Sequence, residues 1–410
     1  MKSSKPTHPP MTQFPVENDC LQVGGQAITR LADRIGTPFY VYDRQLITQR
    51  VAYLREHLPE DLHLHYAIKA NPMPALVQHL STLVDGFDLA SAGEMHIALD
   101  TPMPAEKISF AGPGKRPDEL AAAIAAGIVI NMESSTEMDR ITEIAQQRGI
   151  RPKVAIRVNP DFELKSSGMK MGGGPKQFGV DAELVPAMLR ELTQRDLEFY
   201  GFHIFSGSQN LRAEAIIEAH DKTFELATRL AEHAPAAIKL LNIGGGLGIP
   251  YFPGDQHIEM APIADNLHRL LPEVRAQVPE AEIVTELGRF LVGEAGLYVC
   301  RIIDRKISRG EVFLIADGGM HHHLAASGNF GQFIRKNYPV VIANKVKGEK
   351  RETASIVGPL CTPLDILADK MDLAKAEMGD LVAVYQSGAY GYSASPFNFL
   401  SHPLPKEILV

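Results

Sequence analysis

The chain has few cysteines, and they form no recognisable pattern. Only Cys20, Cys300 and Cys361 occur in 410 residues, and no two of them make a Cys-x-x-Cys pair. An odd number of widely separated cysteines argues against a disulfide framework and against a structural zinc site. The fold must therefore rest on an ordinary hydrophobic core, and the length allows two or three domains to build one.

The chain also lacks long apolar runs and an excess of basic residues. It has no stretch of about 18 apolar residues, so we predict no membrane span. Its formal net charge of −8 argues against nucleic acid or an anionic membrane as a partner. The segment from Met1 to Pro15 is polar and proline-rich, which predicts a loose tail rather than a signal peptide, and hence a cytoplasmic location.

Most of the chain alternates between β-rich apolar runs and segments of helical period. Eight such runs end near Ile68, Leu89, Phe110, Ile130, Val158, Ile204, Ile243 and Leu287. Helical segments are predicted at Pro74–Leu83, Ala92–Leu99, Pro117–Ala126, Thr136–Gln147, Ala182–Arg195, Glu214–His233 and Ala261–Val278. This alternation predicts an α/β fold with parallel strands, and eight units favour a (β/α)8 TIM barrel over a doubly wound open sheet.

From about Phe290 onward the pattern changes to short strands without a long amphipathic helix, which predicts a C-terminal, mostly antiparallel β domain. We therefore divide the chain into an N-terminal tail and joining segment (1–36), a barrel (37–287) and a β domain (288–410). The early run Phe39–Tyr42 is not needed for the eight barrel strands, and it could instead join the β domain.

Polar residues at barrel strand ends are the candidates for chemistry, because the active site of a TIM barrel lies there. Lys69 ends the first strand. Burial there would favour the neutral amine of Schiff-base chemistry, although an ordinary lysine on the barrel rim is the simpler explanation. Gly244, Gly245 and Gly246 follow the seventh strand, where backbone N–H groups could approach a phosphate; a tight turn is the alternative.

Further titratable groups follow two other strands. His203 ends the sixth strand, where a core histidine is the simpler explanation, and Glu286 and Arg289 end the eighth, where they could form a structural ion pair. The run His321–His323 has the composition of a metal site. Successive residues of a strand point to opposite faces, however, so we predict that no metal binds there.

Seven motifs, taken in order, resemble those of the fold-type III pyridoxal-phosphate decarboxylases, the family of diaminopimelate, ornithine and arginine decarboxylases. The resemblance extends from about Thr37 to Pro405. It implies an alanine racemase-like barrel, pyridoxal 5'-phosphate as cofactor, and α-decarboxylation of an amino acid. The motifs are Tyr66–Asn71, Asp88–Glu94, Gly201–Gly207, Gly244–Gly246, Glu286–Arg289, Gly358–Cys361 and Gly388–Tyr390.

The resemblance also implies roles for single residues. Lys69 would form the Schiff base, His203 would stack on the cofactor ring, and Glu286 would pair with the pyridine nitrogen and make the ring an electron sink. The phosphate would be held by Ser206, Gly245, Gly246, Arg289 and Tyr390, with Gly288 also in the cofactor site. Asp88 and Arg157 would line the other edge of the ring, with Glu94 nearby.

Cys361 matches the cysteine that, in this family, reaches in from the neighbouring subunit and returns a proton to Cα. The resemblance therefore implies a head-to-tail homodimer with shared active sites, in which Asp317, Cys361, Thr362 and Tyr390 contact the substrate. Two positions depart from the family pattern. Leu287 replaces a proline, and Thr362 replaces an acidic residue that binds the distal amine of the substrate, so recognition of a free distal ammonium should be weaker.

Five shorter sequence segments suggest which amino acid is the substrate. They resemble decarboxylases that act on a glutamyl group carried by an acyl carrier protein in butirosin-type biosynthesis, and decarboxylases encoded with bacterial exosortase systems. We therefore expect an aminoacyl thioester on a carrier protein, with diaminopimelate decarboxylation to L-lysine as the alternative. The strings are Met169–Gly179, Asp317–His323, Gly358–Pro363, Ser387–Pro396 and Phe399–Pro405.

Three other classes share the barrel or the cofactor. A racemase usually places an arginine, not a carboxylate, at the pyridine nitrogen. A non-catalytic cofactor carrier would be a barrel without a β domain. A catalytically silent regulator of a true decarboxylase tends to lose the lysine or the cysteine, whereas this chain keeps both Lys69 and Cys361.

Overall fold

The computed structural model of the chain describes residues 7–164, 169–170 and 172–410. The chain divides into two compact units. The barrel unit comprises Val51–Ile249 and His257–Gly288, and the β unit comprises the chain up to Arg50, Pro250–Gln256 and Arg289–Val410. The barrel unit thus begins at Val51, whereas the sequence placed its start at residue 37. The difference arises because Phe39–Tyr42 pairs with a strand of the β unit.

Eight parallel strands form a closed barrel, as predicted. Each strand hydrogen-bonds to the next, and the eighth pairs with the first. The fifth strand shows why the sheet forms, since Val154, Ala155 and Ile156 are all fully buried in the continuous apolar run typical of parallel strands. The barrel strands are Leu62–Ala67, Gly86–Leu89, Ile108–Phe110, Val129–Met132, Lys153–Asn159, Glu198–Ile204, Leu240–Asn242 and Glu282–Leu287; the two-residue strand Val180–Asp181 pairs with the fifth.

Helices lie between the barrel strands where the sequence predicted them. Pro117 occupies the first turn of one helix, and the Ser134 side chain caps another by accepting a hydrogen bond from the Glu137 N–H at 3.1 Å, so both helices begin at residues that favour a helix start. No helix in the described ranges is long and apolar enough to cross a bilayer. The helices between the strands are Pro74–Leu80, Ala92–Leu99, Pro117–Ala126, Ser135–Arg148, Val185–Leu192, Ala213–Ala231 and Met260–Gln277, and the helix Arg44–His57 precedes the first strand.

The β unit is built around the 13-residue strand Gly296–Ser308. Its pairings are antiparallel, as predicted, except that Glu311–Ala316 pairs parallel with Arg351–Val357, and Phe39–Tyr42 pairs parallel with Lys406–Leu409. The remaining strands of this sheet are Val340–Ile342, Ile366–Ala374 and Leu381–Val384.

The N-terminal segment is more ordered than a loose tail, and the prediction for it was wrong over the described part. Phe14 is 2% exposed and belongs to the core of the β unit, together with Leu21 and Ile28. The His8 ring bonds the carbonyl of Asn337 at 2.8 Å. A three-stranded sheet (Val16–Glu17, Cys20–Val23, Gln26–Ala27) and the helix Ile28–Ile35 follow. Residues 1–6 lie outside the described chain.

Candidate active site

A lysine, a glutamate and a histidine meet at the mouth of the barrel. Lys69 lies in a single helical turn directly after the first strand, and its Nζ is 3.2 Å from Glu286 Oε1. The other carboxylate oxygen, Oε2, is 3.2 Å from His203 Nε2. The ends of the first, sixth and eighth strands thus bring together three residues that are far apart in the sequence.

Electrostatics keep Glu286 ionised although its side chain is buried. Burial by itself would raise the pKa of this carboxyl, but the Lys69 ammonium, the contact with His203 and the charge of Arg157 lower it well below its usual range. The side chain of Lys69 is 42% exposed, while that of Glu286 is 5% exposed. The burial expected for Lys69 is therefore not observed: its amine is exposed, and it lies beside a buried, negatively charged carboxylate.

The turn after the seventh strand has no room for side chains. A Cβ on Gly245 would lie 1.9 Å from the carbonyl oxygen of Glu286, and Gly244 and Gly246 have φ angles of +71° and +116°. Gly244 also packs against Phe205, whose ring centroid is 5.8 Å from Lys69 Nζ. These glycines keep bare backbone next to the lysine, as a phosphate cradle requires.

Two more predicted residues lie in turns that directly follow barrel strands. Ser206 follows the sixth strand by two positions and is partly buried. A Cβ on Gly288 would lie 2.9 Å from that of Ala70, so glycine is needed for the turn after the eighth strand to pass close to the Lys69 turn.

Asp88 belongs to a buried polar cluster inside the barrel. Its Oδ1 accepts hydrogen bonds from the Ser109 hydroxyl and, at 3.3 Å, from Asn242 Nδ2. Its Oδ2 is 3.4 Å from His65 Nδ1. The cluster joins four strands, and the sequence had singled out only Asp88.

Arg157 is held by a carboxylate that the sequence analysis missed. Its Nη1 is 2.9 Å from Glu133 Oε1, and its guanidinium carbon lies 4.9 Å from the centre of the Phe178 ring. Glu133 also accepts the N–H groups of Gly112 (2.6 Å) and Gly179 (3.0 Å). Glu133 directly follows the fourth strand, so the strand-end rule that found Lys69 would also have found it.

The charges of Lys69 and Glu286 also act on the Glu94 carboxyl. Burial raises the pKa of its carboxyl, while the N–H of Ala90, bonded to it at 2.7 Å, and the Lys69 ammonium oppose that rise. The predicted position of Glu94 near Lys69 and Glu286 fits these electrostatics.

In the β unit, Arg289 and Tyr390 lie together. The Arg289 guanidinium donates to the Tyr251 hydroxyl at 2.9 Å and lies 4.7 Å from the centre of the Tyr390 ring. Burial lowers the pKa of this guanidinium, but the neighbouring tyrosines, Tyr251 first, raise it more. Tyr390 has a φ of +53°, an uncommon conformation for a residue with a side chain.

The predicted substrate contacts of the β unit differ in their surroundings. Cys361 is exposed, and Thr362 follows it on the same turn. Asp317, by contrast, has both carboxylate oxygens engaged: Thr37 Oγ1 donates to Oδ2 at 2.5 Å and the Arg301 N–H to Oδ1 at 2.8 Å. These bonds give Asp317 a structural role in the β unit, and a substrate contact by it stays a prediction.

The run His321–His323 forms a turn and not a strand, so the argument from alternating faces does not apply to it. The rings of His321 and His322 are 3.7 Å apart. His322 bonds Pro403 O at 2.9 Å, and His323 bonds the Ser387 hydroxyl at 2.9 Å. In the described residues, no group of three or more histidine, cysteine or acidic side chains is arranged to hold a metal ion.

The sequence matches the family model of the pyridoxal-binding domain of pyridoxal-dependent decarboxylases over residues 44–293. The chain belongs to the pyridoxal-dependent decarboxylase family. It is 38% identical to L-glutamyl-[BtrI acyl-carrier protein] decarboxylase of Niallia circulans, over 93% of this chain and 90% of that protein. It is 35% identical to diaminopimelate decarboxylase of Aquifex aeolicus, over 95% and 90%.

Solved structures of decarboxylases share the fold. Diaminopimelate decarboxylase of Methanocaldococcus jannaschii, in complex with L-lysine, superposes with a TM-score of 0.87 at 27% identity, covering 97% of this chain and 93% of that one. The predicted barrel with a separate β domain is thereby confirmed, as is membership of a family of carboxy-lyases whose cofactor is pyridoxal 5'-phosphate.

The residues at the barrel mouth fit this cofactor. An aldehyde needs an accessible amine, which Lys69 offers, and a pyridine nitrogen that is to remain protonated needs a buried anion, which Glu286 offers. A phosphate needs close backbone, and the turn Gly244–Gly246 excludes any Cβ. His203 is buried, its Nδ1 has no hydrogen-bond partner in the described chain, and its Nε2 lies 3.2 Å from Glu286 Oε2, so the contact with Glu286 orients the imidazole at the barrel mouth.

Proposed function

We propose that this decarboxylase removes the α-carboxylate from an aminoacyl group, of glutamyl type, that is carried as a thioester on an acyl carrier protein. Thr362 carries this proposal, since it stands where relatives that bind a free distal ammonium have an acid. A neutral hydroxyl leaves such an ammonium without a counter-charge, which disfavours diamino acids. The relative from Niallia circulans, named for a carrier-bound glutamyl substrate, supports the same substrate class.

Pyridoxal phosphate, when bound, supplies a ring that accepts the electron pair left behind as carbon dioxide departs. The residues of the chain would prepare the site for that step. Lys69 would bind the cofactor aldehyde and yield its place to the substrate amine. Glu286 would hold a proton at the ring nitrogen, and His203 would fix the plane of the ring. The glycine turn, with Ser206, Gly288, Arg289 and Tyr390, would hold the phosphate.

Asp88, Arg157 and Glu94 would complete the surroundings of the ring, and Asp317 and Tyr390 would contact the substrate beside Thr362. Cys361 would return a proton to Cα once the carboxylate has left. We propose that the working form is a head-to-tail homodimer, in which Cys361 of one protomer serves the site of its partner. The exposure of Cys361 supports this arrangement, because a thiol that serves a partner must lie at the surface of its own chain.

The substrate class is tested by measuring carbon dioxide release from glutamyl-loaded carrier protein, free glutamate and free meso-diaminopimelate. We expect turnover of the loaded carrier alone. Fast release from free diaminopimelate would instead support the second candidate, diaminopimelate decarboxylation to L-lysine, which the Aquifex aeolicus relative favours.

Two substitutions sharpen that test. Thr362→Glu should raise kcat/KM for free diaminopimelate by roughly tenfold or more, because it restores a counter-charge for the distal ammonium. Thr362→Val removes the hydroxyl at similar size and should bring no such gain. If both variants behaved alike on diaminopimelate, residue 362 would not determine the substrate class.

A further inference from the structure

The turn that carries Cys361 is closed by bonds among its own residues. The Gly358 N–H donates to the Asp365 carbonyl at 3.1 Å, and the Thr362 N–H donates to the Leu360 carbonyl at 2.8 Å. The Asp365 N–H donates to Thr362 O at 3.3 Å. The exposed thiol therefore projects from a loop whose two ends are tied together.

The side chain of Asp365 fastens this loop from the inside. Asp365 is 2% exposed. Its Oδ2 accepts the N–H of Leu360, the residue directly before Cys361, at 2.9 Å, and its Oδ1 accepts the N–H of Met320 at 2.6 Å. One carboxylate thus fixes the backbone beside the thiol and connects it to a second turn, the one that begins the histidine run.

Two glycines lie directly against the Asp365 carboxylate. A Cβ on Gly358 would lie 2.3 Å from Asp365 Oδ2, and a Cβ on Gly319 would lie 2.1 Å from Oδ1. Both contacts are shorter than any real Cβ atom makes, so a side chain at either position would displace the carboxylate. The Asp365 contacts therefore require glycine at both positions, 319 and 358.

From this geometry we infer that Asp365 is a positioning residue, which sets the direction and reach of the Cys361 thiol. The inference rests on the proposed role of Cys361 as the proton donor to Cα. Asparagine cannot replace the aspartate, because its amide group would turn a donor towards a backbone N–H that now has an acceptor. Glutamate would be one methylene too long for a cavity that two glycines already line.

Two measurable properties follow if the Cys361 thiol, as the proton donor, is held in one position. Proton delivery falls steeply when a reacting group is displaced by about 1 Å, by as much as a hundredfold. A fixed donor also reaches only one face of the carbon, so the deuterium taken up in D2O has a single handedness. The same turn carries Thr362, which is proposed to contact the substrate, so the handedness of the product and not KM is the property that decides.

The test uses the full-length enzyme with Cys20→Ser, which removes the partly exposed thiol; Cys300 is buried and does not compete. For Asp365→Asn we expect kcat to fall roughly ten- to a hundredfold, and the product to contain both deuterium configurations. In the enzyme without substrate, iodoacetamide should alkylate Cys361 at a rate changed by at least about threefold, because the turn is released.

Asp380→Asn is the matched control. Asp380 is a buried carboxylate of the same unit that accepts the Glu377 N–H at 2.8 Å and contacts Lys345, with no bond to the Cys361 turn. It should lower stability without changing the handedness of the product or the alkylation of Cys361. If Asp365→Asn behaved like this control, the inference would be overturned.

Two more variants separate the possible failures. Gly358→Ala keeps the aspartate but pushes its carboxylate, and it should reproduce the mixed handedness even if Asp365→Asn does not fold. Cys361→Ala should abolish the handedness altogether. If Cys361→Ala left both kcat and handedness intact, the proposed role of Cys361 would be wrong. If Cys361→Ala changed them while Asp365→Asn and Gly358→Ala did not, only the role of Asp365 would be wrong.

Discussion

The barrel unit and the β unit each bury a carboxylate next to a predicted functional group, but they stabilise it differently. Glu286 lies between the amine of Lys69 and the ring of His203, and its pKa is lowered by them. Asp365 accepts hydrogen bonds from two backbone N–H groups, and burial raises the pKa of its carboxyl. In the barrel, neighbouring cations keep the Glu286 carboxylate ionised. In the β unit, the Asp365 carboxylate instead fixes the backbone of the turn that carries Cys361.

The largest effect should come from removing the charge of the barrel carboxylate. Glu286→Gln leaves Lys69 without its anionic partner and removes the group proposed to keep the ring nitrogen protonated. We expect kcat to fall about 10²- to 10³-fold, the range found when a preorganised electrostatic contact is lost. Steady-state kinetics with the accepted substrate measures the fall of kcat. The absorbance of the bound cofactor at about 420 nm reports whether the cofactor is retained.

Glu294→Gln is the matched control for that variant. Glu294 is a buried carboxylate of the β unit that is paired with Arg50. Its loss should reduce the free energy of unfolding but leave kcat within a few-fold of wild type. An equal fall of kcat in both variants would mean that the location of the charge at the barrel mouth is irrelevant.

A smaller effect is expected for Glu133, which pairs with Arg157 rather than with Lys69. Burial raises the pKa of this carboxyl, but Arg157, Lys115 and two backbone N–H groups together lower it by more than burial raises it. The group therefore stays charged. Glu133→Gln would leave the Arg157 guanidinium buried without a full counter-charge, which costs on the order of 3 kcal/mol. We expect cofactor affinity, followed by absorbance titration, to fall roughly tenfold because Arg157 is no longer held.

Glu137→Gln is the neighbouring comparison, because the Glu137 carboxylate accepts the Glu133 N–H at 2.7 Å but does not pair with Arg157. The Glu137 carboxylate contacts Lys115 at 2.7 Å and is as buried as that of Glu133, but it has no contact with Arg157. Urea unfolding should show a similar loss for both variants, whereas only Glu133→Gln should weaken cofactor binding. Equal cofactor affinity in the two variants would remove Arg157 from the proposed site.

The barrel could be predicted more completely than the β unit. The eight strands and their helices are encoded locally, because each strand is a short apolar run and helix caps such as Ser134 mark the boundaries. The site followed from one rule, that polar residues ending barrel strands face the same mouth. Glu133 obeys the same rule and was missed because the end of the fourth strand was not considered, whereas Asn242 ends the seventh strand, where only the glycines were considered.

The β unit depends on pairings that no local pattern reveals. Strand Ile366–Ala374 contains Asp369, Lys370 and Asp372, and Lys370 has a φ of +47°, so the alternation typical of a strand is interrupted. Strand Lys406–Leu409 pairs with Phe39–Tyr42 from the other end of the chain. The roles of Asp317 and Asp365 likewise depend on distant backbone N–H groups, which composition and motifs do not report.

The smallest effect concerns acid stability, for which the two units again differ. Burial lowers the pKa of His321 to about 3, of His322 to about 4 and of His323 to about 3, all in the β unit. In the barrel unit burial lowers the pKa of His220 to about 4. Since the ordinary value is 6.5, the unfolded chain binds protons below that pH that the folded chain does not. The free energy of unfolding should therefore fall as the pH drops from 6.5 towards 4, more in the β unit than in the barrel unit.

Substitutions in the histidine run test this directly. His321 is buried, and neither ring nitrogen has a hydrogen-bond partner in the chain as described, so His321→Phe removes a titrating group without removing a bond. We expect its melting temperature to depend less on pH between 6.5 and 5 than that of the wild type, by a few degrees for each kcal/mol of proton linkage. His323→Phe also loses the bonds to Ser387 and from the Ala326 N–H, so it should lower the melting temperature at every pH. Parallel pH curves for His321→Phe and the wild type would show that this run does not titrate with unfolding, and that the acid sensitivity lies elsewhere.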